Sequence, residues 1–223
     1  MAQTVTNVTA GKPAVGGAVW RAPVGTSLPT DVSTSLNSAF KCLGYLSQDG
    51  LTNAVTRESE DIKAWGGKTV LKPQTSFDET WKGTFIEAFN TDVLKMVHGN
   101  TNVTGDLTNG IAVTKNSNEL EEASYVADMI MRGGVLKRVV IPKGVVTEVG
   151  EVTYKDSEAV GYETTIGALP DASGNSSYEY IKAASQAAAT PASTGSETGS
   201  ETNTQTGTET QTETQGETNG GGG

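Results

Sequence analysis

In the stretch SFDETWKGTFIEAF, one parity carries Phe77, Glu79, Trp81, Gly83 and Phe85, and the other carries Asp78, Thr80, Lys82 and Thr84. Successive side chains of a β-strand point to opposite faces, so this parity dictates a strand with aromatics inward and polar groups outward. YVADMIMR repeats the pattern with Tyr125, Ala127, Met129 and Met131 on one face. AVGYETTIGAL sets Val160, Tyr162, Thr164 and Ile166 against Gly161, Glu163, Thr165 and Gly167. VLKRVVIP ends in a continuous apolar run that Pro142 is expected to close. After it, GVVTEVGEVTY reads as a strand pair or one long bent strand, with Gly150 its expected bulge. AVWRAP and FKCLGYLS are shorter candidates.

One stretch has a clear helical period. NTDVLKMVHG offers Asn90 or Thr91 as N-cap, Asp92 in the first turn, and Val93, Leu94 and Val97 on one stripe. His98 falls in the last turn, where a partial positive charge is mildly favourable, and Gly99 stops the helix. TDVSTSLNSAF carries a possible short helical turn. The sum is a mainly β chain, an antiparallel β-sandwich or barrel with one packed α-helix.

That domain is expected over residues 17–182, after an N-terminal arm of residues 1–16. Residues 183–223 are nearly all Ala, Thr, Ser, Gln, Glu, Asn and Gly. Their threonine alternation has no apolar face to bury, so a disordered acidic tail is expected. Net charge is −10; the tail holds five of the 26 acidic residues and none of the 16 Lys and Arg. A basic footprint for nucleic acid is missing, since the one tight pair, Lys137-Arg138, sits inside an apolar run.

Reactive chemistry finds no foothold in these residues. AWGGKTVL ends like a phosphate-binding loop, but the first glycine of that motif should stand where Ile62 does. Val70 and Pro73 then occupy the place where its helix should grow. His98 is the single histidine and Cys42 the single cysteine, which excludes a disulfide within the chain and nearly excludes a zinc site. Cys42 is expected as a small buried thiol. No serine sits in G-x-S-x-G. DASGNSS begins like a calcium loop at Asp171, but Ser176 and Lys182 stand where glycine and glutamate are required. The acidic clusters Glu58-Glu60-Asp61 and Glu119-Glu121-Glu122 read as solvated loops. Neither an enzyme nor a cofactor is expected. The N-terminus lacks the charged start and apolar core of a signal peptide, and no apolar run approaches a membrane span. The Asn-x-Ser/Thr triplets at Asn7, Asn102 and Asn175 therefore carry little meaning.

Between Gly50 and Thr69 lies LTNAVTRESEDIKAWGGKT, too long and polar for a tight hairpin and expected as a long functional loop. Trp65 is costly to leave in water and is expected to dock and pin the loop's base, with Gly66 and Gly67 supplying the turn.

Three stretches in order, LGYLSQDGLTNAVTRESEDIKAWGGKTVL, DETWKGTFIEAFNTDVLKMVHG and EVTYKDSEAVGYETTIGALPDASGNSSYEYIK, resemble the major tail (tail tube) proteins of long-tailed, non-contractile bacteriophages. The resemblance covers roughly residues 11–182 and rests on several modest motifs in sequence order. It implies a structural virion protein whose hexameric rings stack into a hollow tube through which the genome passes. One sheet of each subunit would join its neighbours in a lumen wall. The long loop and the N-terminal arm would touch adjacent rings, and the arm would order only on assembly. The ring-stacking residues implied are Asn53, Arg57, Glu58, Glu60, Asp61 and Lys63, with Trp65 as anchor. Partners implied are further copies of the chain and the tape measure, tail terminator and distal tail proteins. DNA would slide through an acidic lumen without specific binding, no membrane is involved, and the protein would assemble in the host cytoplasm. The rival expectation is a β-sandwich virion decoration or surface-adhesion module on a low-complexity stalk.

Overall fold

The computed structural model describes residues 7–14 and 17–183. The tail from residue 184 onward, and residues 1–6 of the N-terminal arm, lie outside them. The first strands are β1 (Gly11–Pro13), β2 (Val19–Pro23), β3 (Lys41–Cys42), β4 (Leu46–Ser59), β5 (Ile62–Lys63), β6 (Thr69–Leu71) and β7 (Gln74–Phe85). The helix α1 (Thr91–His98) follows, then β8 (Val103–Asp106), β9 (Gly110–Val113), β10 (Ala123–Met131), β11 (Leu136–Val149), β12 (Tyr162–Leu169) and β13 (Tyr178–Lys182). The expected class holds: a mainly β antiparallel domain with one packed helix. Nine strands make one sheet whose path runs β3, β2, β10, β11, β12, β7, β4, with β1 added to β10 and β13 to β11.

The hinge of this sheet is β11. Its first half pairs with β13, from Leu136↔Lys182 to Val140↔Tyr178, and its second half pairs with β12, from Lys143↔Leu169 to Val149↔Thr164. Strands that hand over between neighbours at a bulge are how a sheet folds over on itself. Pro142 marks the handover and does not close the strand, contrary to the sequence expectation. Tyr125 faces Ile141 and Ala123 faces Gly144, so Pro142 and Lys143 together oppose Ser124. The bulge spares proline the ladder N–H it lacks, and Ser124 Oγ donates to the Pro142 carbonyl at 2.6 Å. Gly150 is not the second bulge; the register shifts between Val146 and Glu148, and Gly150 lies just past the strand with its N–H on the Glu163 carbonyl.

Both faces of β10 and β11 are covered, which explains why apolar residues stand on both parities, as in Val139, Val140 and Ile141. On one face Tyr125, Ala127, Val139 and Ile141 join Trp81, Phe85, Tyr162 and Ile166 beneath the buried Val93, Leu94, Met96 and Val97 of α1. On the other, Val126 and Val140 pack with Ala22 and Phe40. Here the segment between β2 and β3 crosses the sheet as a strap. It contains no helix; Asp31 Oδ1 accepts the backbone N–H groups of Ser33 and Thr34, a local turn that competes with helix formation. The strap is tied down by Arg138, whose Nη1 donates to the carbonyls of Asp31 (3.0 Å) and Thr34 (2.6 Å). Its Nε and Nη2 grip both oxygens of Asp128 at 2.6 and 2.9 Å.

The helix is capped as its sequence demands: Asn90 Oδ1 accepts from Asp92 N at 3.0 Å, and Gly99 ends it. His98 differs from expectation. Burial first, and Lys115 second, hold its imidazole below the ordinary value of 6.5, so it sits neutral, edge-on to the Tyr162 ring at 5.9 Å. Because the folded protein binds this proton less readily than the unfolded chain, stability is full above pH 6.5 and falls as pH drops toward the folded value. A His98→Gln variant is expected to lose that slope, as read from thermal melts between pH 7 and 5.

Residues 11–13 are ordered within the single chain, which corrects the expectation that the whole N-terminal arm orders on assembly. They pair along β10, Gly11↔Met131 to Pro13↔Met129.

Candidate assembly surface

The segment expected as a long loop is a β-hairpin arm. β4 continues through Ser59, pairing with β7 from Leu51↔Gly83 to Ser59↔Gln74. β5 and β6 prolong the ladder at Ile62↔Leu71 and Lys63↔Thr69. Ala64 N–H donates to the Lys68 carbonyl at 2.8 Å, and Gly67 N–H to the Ala64 carbonyl at 2.9 Å. Gly66 and Gly67 take φ of +99° and +86° at this tip, a left-handed pair that side chains disfavour.

β12 covers β7 only between Phe85 and Glu79, so beyond Glu79 the arm is a two-stranded ribbon. From Thr56 to Ala64 it extends roughly 25–30 Å at the rise of a strand. Two-stranded ribbons are marginal in water on their own. This one also exposes Val55, Ile62, Trp65, Val70, Leu71 and Phe77. Trp65 does not dock: it is 105% exposed. A run of exposed apolar side chains on one projection marks an interaction surface.

The ribbon is rooted on a buried carboxylate. Glu79 occupies an inward-facing position and accepts from Asn53 Nδ2 (3.1 Å), Trp81 Nε1 (3.0 Å), Ser177 Oγ (2.8 Å) and Ser176 Oγ. These donors join β4, β7 and the turn before β13. Glu79→Ala strands several of them, and is expected to cost about 2–4 kcal/mol in urea unfolding.

The sequence-derived residues are strung along the arm and form no single cluster. Asn53 belongs to the root. Arg57 lies over the Phe77 ring at 4.5 Å and donates to Gln74 Oε1 at 2.9 Å. Glu58 sits opposite Ser76. Glu60 N–H donates to the Pro73 carbonyl at 3.1 Å, and Asp61 pairs with Lys72 at 3.5 Å across exposed side chains. Lys63 lies in β5 and Trp65 at the tip. The sequence-derived set includes Lys63 but not the arm's aliphatic residues, Lys68 or Lys72. Residues 62–72 hold Lys63, Lys68 and Lys72 and no acid, in a chain of net charge −10. That local inversion of sign was the available signal.

A family model described as phage tail tube protein matches residues 6–193, most of the chain and all of the sheet. The chain belongs to the phage tail tube proteins. It is thus a structural component of a phage tail. Comparison with curated proteins finds no match. In this tail tube protein no helix among the described residues is long and apolar enough to cross a membrane. The strand β4 forms one end of its sheet, so alternate ones of its 14 residues turn their backbone N–H and C=O groups outward on that edge. Free edges of that length template pairing with another chain.

Proposed function

We propose that this tail tube protein forms hexameric rings that stack into the tube of a long, non-contractile tail, through which the genome reaches the host. The observation that carries the reading is the arm: a ribbon projecting beyond the sheet with a fully exposed tryptophan at its end. Such a surface is unfavourable on a subunit that stays alone and becomes favourable once a neighbour covers it. Lateral pairing of sheet edges closes a ring, and the arm then reaches the adjacent ring through Asn53, Arg57, Glu58, Glu60, Asp61, Lys63 and Trp65. Residues 1–16 add a second ring contact. The tape measure, tail terminator and distal tail proteins meet the two ends of the tube. Net negative charge suits a lumen in which DNA slides unheld, since phosphates are repelled by it. Assembly takes place in the host cytoplasm.

The test shortens the arm without touching the sheet. Because Ser59 and Gln74 are cross-strand partners, residues 60–73 can be replaced by Asn-Gly, a two-residue hairpin turn. Negative-stain microscopy is expected to show tubes from the unmodified protein and none from the shortened one. Discrete particles from both would favour a decoration or adhesion module and overturn the proposal.

A further inference from the structure

At the end of β7 opposite the arm, the chain turns into α1 around a groove. Its cavity of about 520 Å³ is lined by Ile86, Glu87, Ala88, Phe89, Asn90 and Val160. Phe89 stands 72% exposed at its rim. A concavity of that size with an apolar lining and one charged group is suited to enclosing a ring system. Glu87 is the only charged residue in the lining. Its carboxylate accepts from Tyr45 N–H at 3.0 Å and Asn90 Nδ2 at 3.0 Å, and a carboxylate has capacity for further donors.

We propose that Trp65 of one copy seats in this groove of the next copy, making arm and groove the two halves of one contact. The inference rests on the tube reading and names the receiving surface for it. Three observations support a second copy as the occupant. First, the arm tip is aromatic and basic, with Trp65 between Lys63 and Lys68, while the groove is apolar and carries a carboxylate and no base. Second, the tip cannot serve its own groove. The 12 residues of β7 separate them, about 40 Å of extended chain, with the tip beyond Gln74 and the groove beyond Phe85. Third, a knob at one end of a strand and a hole at the other make a heterologous contact. Such a contact leaves a free knob and a free hole on the end copies, so it can pass from copy to copy and builds an open filament where the rotation between copies does not close a ring.

The experiment uses the full chain in two forms. Phe89→Asp puts a charge at an exposed rim position, where folding is unaffected, and is expected to raise the critical concentration for tube formation at least about tenfold. In the second form the photocrosslinker p-benzoylphenylalanine replaces Trp65. Irradiation of assembled protein, followed by peptide mass spectrometry, is expected to link position 65 to the peptide carrying residues 86–90 or to that carrying Val160. Normal tubes from Phe89→Asp, or crosslinks confined to other peptides, overturn the groove assignment. If Trp65→Ala still abolishes tubes in that case, the tube reading stands without it. Absence of tubes from the unmodified protein overturns both.

Discussion

Trp65→Ala is expected to abolish tube formation while leaving the folded subunit unchanged. Among the described residues the indole is fully exposed, so its removal deletes nothing from the monomer's core. Melting temperature and near-ultraviolet spectrum, apart from the loss of one tryptophan, should match the parent. At an interface the same side chain is of the type that dominates binding energy, about 2–4 kcal/mol per contact. If the proposed rings form, that loss recurs at every subunit of the stacked interface, so a modest change per contact becomes an all-or-none change in polymerisation. Sedimentation velocity decides the matter: the variant should run as small species at concentrations where the parent pellets as tubes. Trp65→Phe keeps an aromatic ring and should retain partial assembly. Tubes of normal length from Trp65→Ala would remove the arm tip from the contact.

Arg138→Ala is expected to destabilise the subunit by about 3–5 kcal/mol, the cost of leaving the half-buried Asp128 carboxylate without its buried partner. For a domain of this size that lowers the melting temperature by on the order of 10 °C. Two losses combine. Asp128 keeps its charge in a site where its side chain is 19% exposed, and the carbonyls of Asp31 and Thr34 lose their donor. Replacing both members, Arg138→Met with Asp128→Leu, should restore part of the stability, since the buried charges then vanish together. Urea unfolding of the single and double variants measures both effects, and equal stability of Arg138→Ala and parent would show that the pair contributes nothing.

How legible the molecule is in its sequence depends on whether burial lies within one chain. The inward parity of Trp81, Phe85, Tyr162 and Ile166 reads directly because those side chains meet the core of the same subunit. So does α1, whose cap, stripe and stop are local features. β4 escapes the same reasoning. Its outer half, Asn53 to Ser59, is wet on both faces, so no alternation of hydrophobicity announces a strand, and its pairing partner lies some twenty residues away. Trp65 misleads for a related reason. A tryptophan is ordinarily covered, but none of the described residues of its own chain covers this one. Pro142 and the double-faced β11 fall between these cases: the apolar run is visible, while the bulge that lets it continue depends on Ser124 in a distant strand. The segment expected as a loop between Gly50 and Thr69 is a strand pair, and its assembly role remains a proposal.

The guanidinium that fastens the strap also orders events in time. Its acceptors are Asp128, ten residues away in sequence, and Asp31 and Thr34, more than a hundred residues away. The strap has no landing site until β10 and β11 have paired and set Arg138 beside Asp128. Closing so long a loop is entropically slow, and its reward comes only at the end. The strap is therefore expected to dock last in refolding and to lift first in unfolding. In Arg138→Ala, the share of the loss that comes from Asp31 and Thr34 should accelerate unfolding, and the share that comes from Asp128 should slow refolding.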